Sequence, residues 1–286
     1  MSEYRDVSAG LAARMALTKY GFHFTHSLGQ NFILDDTLVE SIVYAAGIAP
    51  GDRVLEIGPG AGVMTRHLAE AGASVTAVEL DQSLEPVLGA VLDGVEGARV
   101  VFGDAMKLDI GGLMEGQPYR VVANLPYYIT ADVVQRMITQ EHKPEKITIM
   151  VQKEAAERMM AKMGSKIWCA LAATVQYFGK VSVLMEVPPE AFTPRPHVDS
   201  ALIEIALFDE KPVEAQDEKM MLKVIAACFA MRRKTLLNNL CASFSVSRET
   251  AGGWLEKAGL SDKIRGEALT LEQTARLSDV ISGEKE

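Results

Sequence analysis

The chain has 286 residues, of which 48% are hydrophobic and 23% are charged, a composition typical of a soluble globular protein. Its formal net charge of −9 argues against a protein coated in basic surface, so any contact with nucleic acid must come from a local basic patch. The amino-terminal stretch contains Glu3 and Asp6, and its apolar residues are interrupted by Arg14 and Lys19. It therefore predicts neither a signal peptide nor a membrane span, and we expect a cytosolic protein.

Cysteine and histidine spacing predicts no metal site. The three cysteines lack a CxxC spacing and lie in apolar, helix-like stretches, so we interpret them as reduced core residues. His23 and His26 have a ligand-like spacing, but no cysteine or acidic residue lies near them in the sequence. We therefore expect no bound metal.

The beginning of the chain predicts two helices joined by a mixed polar and apolar arm. Residues 8–20 have the periodicity of an amphipathic helix, and residues 37–46 that of a second helix. The apolar positions expected to share one face of the first helix are Leu11, Met15 and Tyr20. The arm between the helices, residues 27–36, is either a simple helix entry, which the residues alone favour, or a segment that folds over a ligand pocket.

A strand followed by a glycine turn and a helix comes next, at residues 53–58, 58–62 and 63–71. This is the ligand-binding unit of a doubly wound α/β sheet, because a turn without Cβ atoms lets a ligand approach the backbone at a helix amino terminus. Val63 replaces the last glycine of the dinucleotide pattern, which favours a nucleoside cofactor without a pyrophosphate, such as S-adenosylmethionine. Glu79 ends the next predicted strand, where a carboxylate can accept hydrogen bonds from both ribose hydroxyls.

A third strand, at residues 99–102, leads to Asp104. An aspartate just past this strand can accept a hydrogen bond from the adenine amine of a cofactor. The alternative is an ordinary turn residue, since aspartate is common in turns.

The stretch from Asn124 to Tyr127 follows an apolar run, residues 119–123, that predicts a buried strand. Adenine N6 is a poor nucleophile because its lone pair is delocalised. The Asn124 side-chain carbonyl and the Leu125 backbone carbonyl can accept its two N–H bonds, and Pro126 holds the turn fixed. Tyr127 offers a stacking face worth about 1–3 kcal/mol per base. The alternative is a strand-to-helix turn with an Asn cap and a core tyrosine.

The remainder of the α/β region predicts further strands and helices. The expected strands are 146–151, 181–187 and 201–208, and the expected helices are 130–140, 152–163 and 165–178. Pro194 and Pro196 enforce an extended loop that presents Phe192 and Arg195 instead of burying them in a regular element. This loop is either a rigid connector or a wall of the base pocket.

An acidic stretch interrupted by Pro212 predicts a boundary between a catalytic domain, residues 1–208, and a helical domain, residues 209–286. The net charges of the two segments are −8 and −1. The expected helices of the second domain are 217–230, 234–244, 247–258 and 270–282. Its basic cluster, Arg232, Arg233 and Lys234, is either a solvated face or a phosphate-binding site.

Eight motifs occur together and in a fixed order: Leu28-Gly29-Gln30-Asn31-Phe32, Glu56-Ile57-Gly58-Pro59-Gly60, Val78-Glu79-Leu80-Asp81, Gly103-Asp104-Ala105, Asn124-Leu125-Pro126-Tyr127, Val151-Gln152-Lys153-Glu154, Phe192-Thr193-Pro194-Arg195-Pro196 with Val198-Asp199-Ser200, and Arg232-Arg233-Lys234-Thr235-Leu236. From about Gly29 to Leu240 the chain resembles the ribosomal RNA adenine N6,N6-dimethyltransferases of the KsgA type. These enzymes modify two adjacent adenosines in the 3′-terminal hairpin of small-subunit (16S) rRNA. The resemblance implies a Rossmann-like class I methyltransferase sheet with a small all-α carboxy-terminal domain, S-adenosylmethionine as cofactor, and the small ribosomal subunit or its precursor as partner.

The resemblance also assigns roles to residues. It places cofactor contacts on Asn31, Ile33, Gly58, Gly60, Glu79, Asp104 and Asn124, and so makes the arm a pocket lid. It gives substrate-adenine roles to Asn124, Leu125, Pro126 and Tyr127, with Phe192 as a second stacking surface. RNA contacts fall on Arg195, Arg232, Arg233 and Lys234.

Two features depart from the family pattern. Tyr128 stands where the family pattern has Asn. The acidic balance is unusual for an rRNA-binding protein and suggests a substrate composed of assembled rRNA and protein.

Three other functions compete with this interpretation. The macrolide-resistance type of 23S rRNA adenine methyltransferase shares the fold and chemistry, but it usually has Asn-Ile-Pro-Tyr and is strongly basic. A DNA adenine methyltransferase more often has Pro-Pro-Tyr and a larger sequence-reading domain. A non-catalytic assembly factor for the small subunit is the third alternative.

A monomer is expected because the substrate is so large.

Overall fold

The structure is a computed structural model that describes residues 4–25 and 28–284. The predictions made for His26 and Ser27 therefore lie outside the described residues. The strands are β1 (Phe32–Ile33), β2 (Arg53–Ile57), β3 (Ser74–Glu79), β4 (Ala98–Phe102), β5 (Arg120–Asn124), β6 (Lys146–Gln152), β7 (Gly179–Val187), β8 (Phe192–Thr193) and β9 (Ser200–Leu207). The helices are α1 (Ala9–Lys19), α2 (Asp36–Ala45), α3 (Val63–Glu70), α4 (Glu85–Val91), α5 (Ile110–Leu113), α6 (Thr130–Thr139), α7 (Lys153–Met159), α8 (Ala170–Phe178), α9 (Glu218–Ala230), α10 (Leu236–Phe244), α11 (Arg248–Lys257) and α12 (Leu271–Gly283).

Seven strands form one sheet in the order β4-β3-β2-β5-β6-β9-β7. The five strands from β4 to β6 are parallel, and β9 is antiparallel to β6. The chain starts at β2 in the middle of the sheet, moves outward to β4, and returns to β5 on the other side of β2. The strand order thus reverses between β2 and β5, which is where doubly wound sheets bind ligands.

The register brings the predicted site motifs to one edge of the sheet. Ile57 of β2 pairs with Ala123 of β5, so Gly58, which follows β2, and Asn124, the last residue of β5, lie at the carboxyl ends of these neighbouring strands. Glu79 ends β3 and pairs with Phe102 of β4. Parallel strands end at the same edge, and residues far apart in the sequence therefore meet there.

The amino-terminal cap of α2 agrees with the local sequence, but the buried face of α1 differs from the predicted one. Asp35 caps α2 by accepting from the backbone N–H groups of Thr37 and Leu38. In α1 the buried positions are small residues, and the prediction of an apolar face through Leu11 and Tyr20 is wrong, since both are exposed. The reason is close packing: a Cβ on Gly10 would lie 2.3 Å from the carbonyl oxygen of Leu34.

The arm and the proline loop are joined by a short two-stranded sheet that the sequence did not predict. β1 pairs antiparallel with β8, which aligns Phe32 with Thr193 and Ile33 with Phe192. Phe192 is only 3% exposed. The prediction that the loop presents Phe192 outside a regular element is therefore wrong, because pairing with the arm buries it.

The chain divides into two compact units. The first comprises Met1–Ala156 and Val181–Leu207; the second comprises Glu157–Lys180 and Phe208–Glu286. The second unit thus resumes within one residue of the predicted boundary, and it also takes in a segment that was placed with the first domain.

Packing explains why the segment 157–180 belongs to the second unit. Trp168 is buried, and its ring lies 6.1 Å from the ring of Phe229 in α9. The predicted helix from Ser165 is wrong in its start, because residues 162–167 form an exposed turn and α8 begins at Ala170. The second unit is helical and has its own core, which includes Val224, Leu236, Leu240, Trp254 and Leu277.

Candidate functional site

A cleft of about 1120 Å³, measured with its open mouth, lies at the carboxyl ends of the parallel strands. Its lining comes from the arm, the glycine turn, the ends of β3 and β4, and the segment after β5. Predicted site residues in this lining are Asn31, Ile33, Gly58, Gly60, Glu79, Asp104, Asn124, Leu125, Pro126 and Tyr127. The tertiary structure thus brings together ten positions spread over nearly a hundred residues.

The glycine turn needs its glycines. Gly58, Gly60 and Gly62 all have positive φ angles, of 72°, 56° and 81°, which residues with a Cβ rarely adopt. A Cβ on Gly60 would also lie 2.8 Å from the ring of Phe32. The turn therefore leaves its backbone bare toward the cleft and lets the arm pack closely on it.

Glu79 is the buried carboxylate of the cleft. Its oxygens accept hydrogen bonds from the backbone N–H groups of Gly60, at 3.1 Å, and Asp81, at 2.8 Å. Burial raises the pKa of this carboxyl, and the backbone donors counteract that rise. A carboxylate has about four acceptor sites, so Glu79 can still accept further hydrogen bonds from a ligand.

Asp104 lines the cleft from the loop after β4. The backbone N–H of Met106 donates to it at 2.9 Å and Lys107 pairs with it at 3.1 Å. These contacts, the Met106 N–H first, lower the pKa of Asp104, so it is a ready acceptor. Arg136 of α6 holds the loop in place by donating to the carbonyl oxygens of Met106 and Leu108.

Asn124 is oriented by the arm. Its side-chain Nδ2 donates to the backbone carbonyl of Asn31 at 2.8 Å, and the Asn31 side chain in turn donates to the Gly29 carbonyl at 3.1 Å. No described residue donates to Oδ1 of Asn124. The side-chain carbonyl is therefore left as an acceptor at the edge of the cleft, as the chemistry predicted for an adenine amine requires.

The segment after Asn124 contacts β9 through Tyr127. The hydroxyl of Tyr127 lies 2.7 Å from Oγ of Ser200, which begins β9. Burial raises the pKa of the Tyr127 phenol. Leu125 is buried, and Pro126 packs close to the Gly29 position of the arm. The turn is thus fixed at both ends.

Sequence reasoning missed Glu56 as a site residue in its own right. Glu56 lies in β2, is fully buried and lines the cleft, with the side chains of Thr65 and Glu79 near it. Burial raises its pKa to about 8. The available signal was a charged residue in the apolar strand Arg53–Ile57, which is costly unless it serves a purpose.

Other predicted residues lie elsewhere. Phe192 is not part of the cleft lining, and Arg195 is exposed and paired with Glu190. Arg232, Arg233 and Lys234 are exposed in the second unit, in a turn before α10, which begins at Leu236, two residues after the predicted start at Lys234. Among residues 4–25 and 28–284, no group of three His, Cys, Asp or Glu side chains is placed to hold a metal ion. No helix in the described ranges is long and apolar enough to cross a membrane.

A model of the family described as ribosomal RNA adenine dimethylase matches residues 21–282. The chain belongs to the ribosomal RNA adenine dimethylase family. Two of its relatives in this family are each named ribosomal RNA small subunit methyltransferase A. The one from Lachnoclostridium phytofermentans is 42% identical over 272 residues, covering 93% of this chain and 94% of the relative. The one from Bacillus licheniformis is 38% identical over 283 residues, covering 96% and 97%.

Solved structures agree with the methyltransferase fold of this dimethylase family. A dimethyladenosine transferase from Plasmodium falciparum superimposes with a TM-score of 0.68 at 24% identity, covering 85% of this chain and 94% of that one. The 23S rRNA methyltransferase ErmE superimposes with a TM-score of 0.64 at 25% identity, covering 88% and 100%. The expected Rossmann-like methyltransferase sheet and family resemblance are confirmed.

Proposed function

We propose that this protein transfers methyl groups from S-adenosylmethionine to N6 of two adjacent adenosines in the 3′-terminal hairpin of 16S rRNA, during small-subunit assembly in the cytoplasm and as a monomer. The observation that carries the chemistry is the orientation of Asn124. Its Nδ2 is engaged by the Asn31 carbonyl, and its Oδ1 is left to accept from an amine. Family membership and the relatives named small subunit methyltransferase A support the substrate.

The residues present fit the proposed cofactor. The positive-φ turn leaves the backbone of Gly58 and Gly60 open to the amino-acid part and ribose, and Glu79 would accept from the ribose hydroxyls. Asp104 would accept from the adenine amine. Glu56 adds a third carboxyl group to the lining of the cleft. When bound, S-adenosylmethionine supplies an electrophilic methyl on a sulfonium that departs as a neutral thioether.

The protein's part in the transfer is to localise the lone pair of the substrate amine. Oδ1 of Asn124 and the Leu125 carbonyl would accept the two N6–H bonds, which favours a pyramidal nitrogen. Tyr127 would stack on the base, and its hydroxyl bond to Ser200 holds the ring in place. Extruding the base from the RNA costs a few kcal/mol of lost stacking, and stacking on Tyr127 would offset this cost. No strong base is required, because nitrogen loses its proton after it becomes positively charged.

The second unit supports an rRNA-binding role through a basic surface built from three segments. Arg232 donates to the backbone carbonyl of Lys166 at 2.9 Å and lies 3.5 Å from Glu267. Arg265 lies 4.0 Å from the same carboxylate. Together with the exposed Arg233 and Lys234, these cations outnumber the one carboxylate among them, and we propose that they hold rRNA phosphates.

The 23S rRNA alternative is less well supported. The 23S methyltransferase structure is 25% identical to this chain, whereas the small-subunit relatives reach 42% over nearly the same share of the chain. The net charge of −9 also disfavours a protein that binds naked RNA strongly.

Transfer of labelled methyl from S-adenosylmethionine to unmethylated small subunits, unmethylated 23S rRNA and DNA tests the proposal. We expect four methyl groups per small subunit, mapped to two adjacent adenosines near the 3′ end. Label found mainly in 23S rRNA would keep the methyltransferase assignment and overturn the substrate. No label in any of the three would overturn both.

A further inference from the structure

Tyr128 is a large aromatic side chain left exposed at the mouth of the cleft. It follows Tyr127 directly, contributes to the cleft lining, and is 61% exposed. Exposed rings of this size at a pocket mouth are candidates for binding flat, apolar surfaces. The position is also one of two features in which the sequence departs from the family pattern.

One side of the Tyr128 ring is packed on the arm. A Cβ built on Gly29 would lie 3.3 Å from Cε1 and 3.4 Å from Cδ1 of the ring. Gly29 has a φ of 60°, so its own backbone favours the absence of a side chain here. The arm therefore supports the ring from one side, and the exposure of 61% means that much of the rest faces solvent.

The two consecutive tyrosines are held differently. Tyr127 is half-buried, and its hydroxyl is bonded to Ser200. The hydroxyl of Tyr128 has no hydrogen-bond partner among the described residues. A ring that is supported on one side and makes no polar contact through its hydroxyl offers its surface, not its oxygen, to a ligand.

We propose that Tyr128 stacks on the nucleobase next to the target adenosine while that adenosine occupies the cleft. The inference rests on the proposed function and adds a second base-binding position to it. Extruding the target leaves the neighbouring base without one of its stacking partners, and an exposed ring beside Tyr127 can replace that partner. Because the two target adenosines are adjacent, the neighbour in each round is the other target or the base flanking the pair.

The test compares Tyr128→Ala and Tyr128→Phe with Tyr44→Ala. Tyr44 lies on α2 in the same unit and is 88% exposed, so it controls for the loss of an exposed ring. For Tyr128→Ala we expect kcat/KM on unmethylated small subunits to fall about 5- to 100-fold, as loss of one stacked base implies. Tyr128→Phe and Tyr44→Ala should stay within about twofold of wild type, as should the cofactor Kd of every variant.

Reconstituted small subunits that carry an abasic site in place of one target adenosine make the test specific. With wild-type protein, loss of the neighbouring base should slow methylation of the remaining target. With Tyr128→Ala the same loss should change little, because the stacking contact is already absent. The inference is overturned if the abasic site affects both proteins equally.

Three further outcomes are distinct. If Tyr128→Ala weakens cofactor binding as much as it slows transfer, the ring is a wall of the cofactor cleft and the stacking role is wrong. If wild-type protein methylates small subunits and Tyr128→Ala does so at the same rate, the inference fails while the proposed function stands. If wild-type protein does not methylate small subunits at all, the proposed function itself fails.

Discussion

The two compact units of this protein differ in the sign of their charge. The first contains 13 Lys and Arg against 24 Asp and Glu, a net charge of −11, and the second contains 16 against 14, a net of +2. The two segments predicted from the sequence do not show this difference in sign, because both have a negative net charge. Residues 158–180 contain four basic residues and no acidic one, and packing assigns them to the second unit.

The difference indicates how an acidic protein can act on RNA. The cleft of the first unit contains three carboxyl groups, Glu56, Glu79 and Asp104, and we propose that it binds a sulfonium cofactor that carries positive charge. The basic surface proposed for phosphate lies in the second unit. If the first unit binds the cofactor and the second binds RNA phosphates, a substitution in one unit should weaken one of these interactions and leave the other unchanged.

The largest effect is expected from Asn124→Ala. Loss of the amide removes the acceptor that localises the amine lone pair, and transfer to small subunits should fall by at least about 100-fold. The cofactor Kd should change only a few-fold, because most cofactor contacts remain. Activity is read from labelled methyl transfer and binding from calorimetry.

Asn124→Ala also tests the assembly-factor alternative. Cells carrying only this variant should mature small subunits abnormally if methylation is the essential activity. Normal maturation with an inactive variant would favour a mainly non-catalytic role, and full methyl transfer by the variant would contradict the proposed mechanism.

Replacing Arg232, Arg233 and Lys234 together with Ala should weaken binding to small subunits about 10- to 100-fold at low salt. Log K falls as log salt concentration rises, and loss of up to three phosphate contacts should make this negative slope shallower by about two to three. Cofactor affinity should not change. The control is Lys219→Ala with Lys223→Ala, which removes exposed cations near the start of α9. Equal losses in the triple variant and the control would mean that net charge, not this surface, governs binding.

Glu79→Gln should weaken cofactor binding about tenfold or more and leave particle binding intact. The amide retains one acceptor but loses the charge that strengthens hydrogen bonds from ribose hydroxyls. The measurement is the rise in melting temperature on adding S-adenosylmethionine, with the exposed Glu85→Gln as control. An unchanged shift for Glu79→Gln would remove this residue from the proposed cofactor site.

A further expected effect is a pH dependence of stability through Glu56. Its pKa is about 8 in the folded protein and about 4.5 when exposed, so the folded state binds the proton more tightly. Wild-type stability should therefore fall as pH rises from about 5 to 8, by at most about 1.4 kcal/mol per pH unit from this group.

Glu56→Gln cannot titrate, and its stability relative to wild type should increase over the same pH range. Melting temperatures without cofactor provide the measurement, and Glu70→Gln, near the end of α3, serves as control. Parallel curves for wild type and Glu56→Gln would contradict the assignment of a raised pKa.

Local patterns were enough to predict the parallel sheet, the turn at Gly58 and the position of Asn124 after a buried strand. Strand periodicity, glycine turns and helix caps such as Asp35 depend on neighbouring residues, so they can be read along the chain. The family resemblance added the identity of the cofactor and of the substrate. The local patterns alone predicted only a nucleoside cofactor and an amine on a base.

Only the tertiary structure decided the features that depend on contacts between distant residues. Pairing of β1 with β8 buried Phe192, and Trp168 joined its segment to α9. The same long-range packing buried Glu56 and raised its pKa, and it left Tyr128 exposed against Gly29. The burial of a residue and the charge of a compact unit depend on which distant segments pack together. No local sequence pattern indicates that packing.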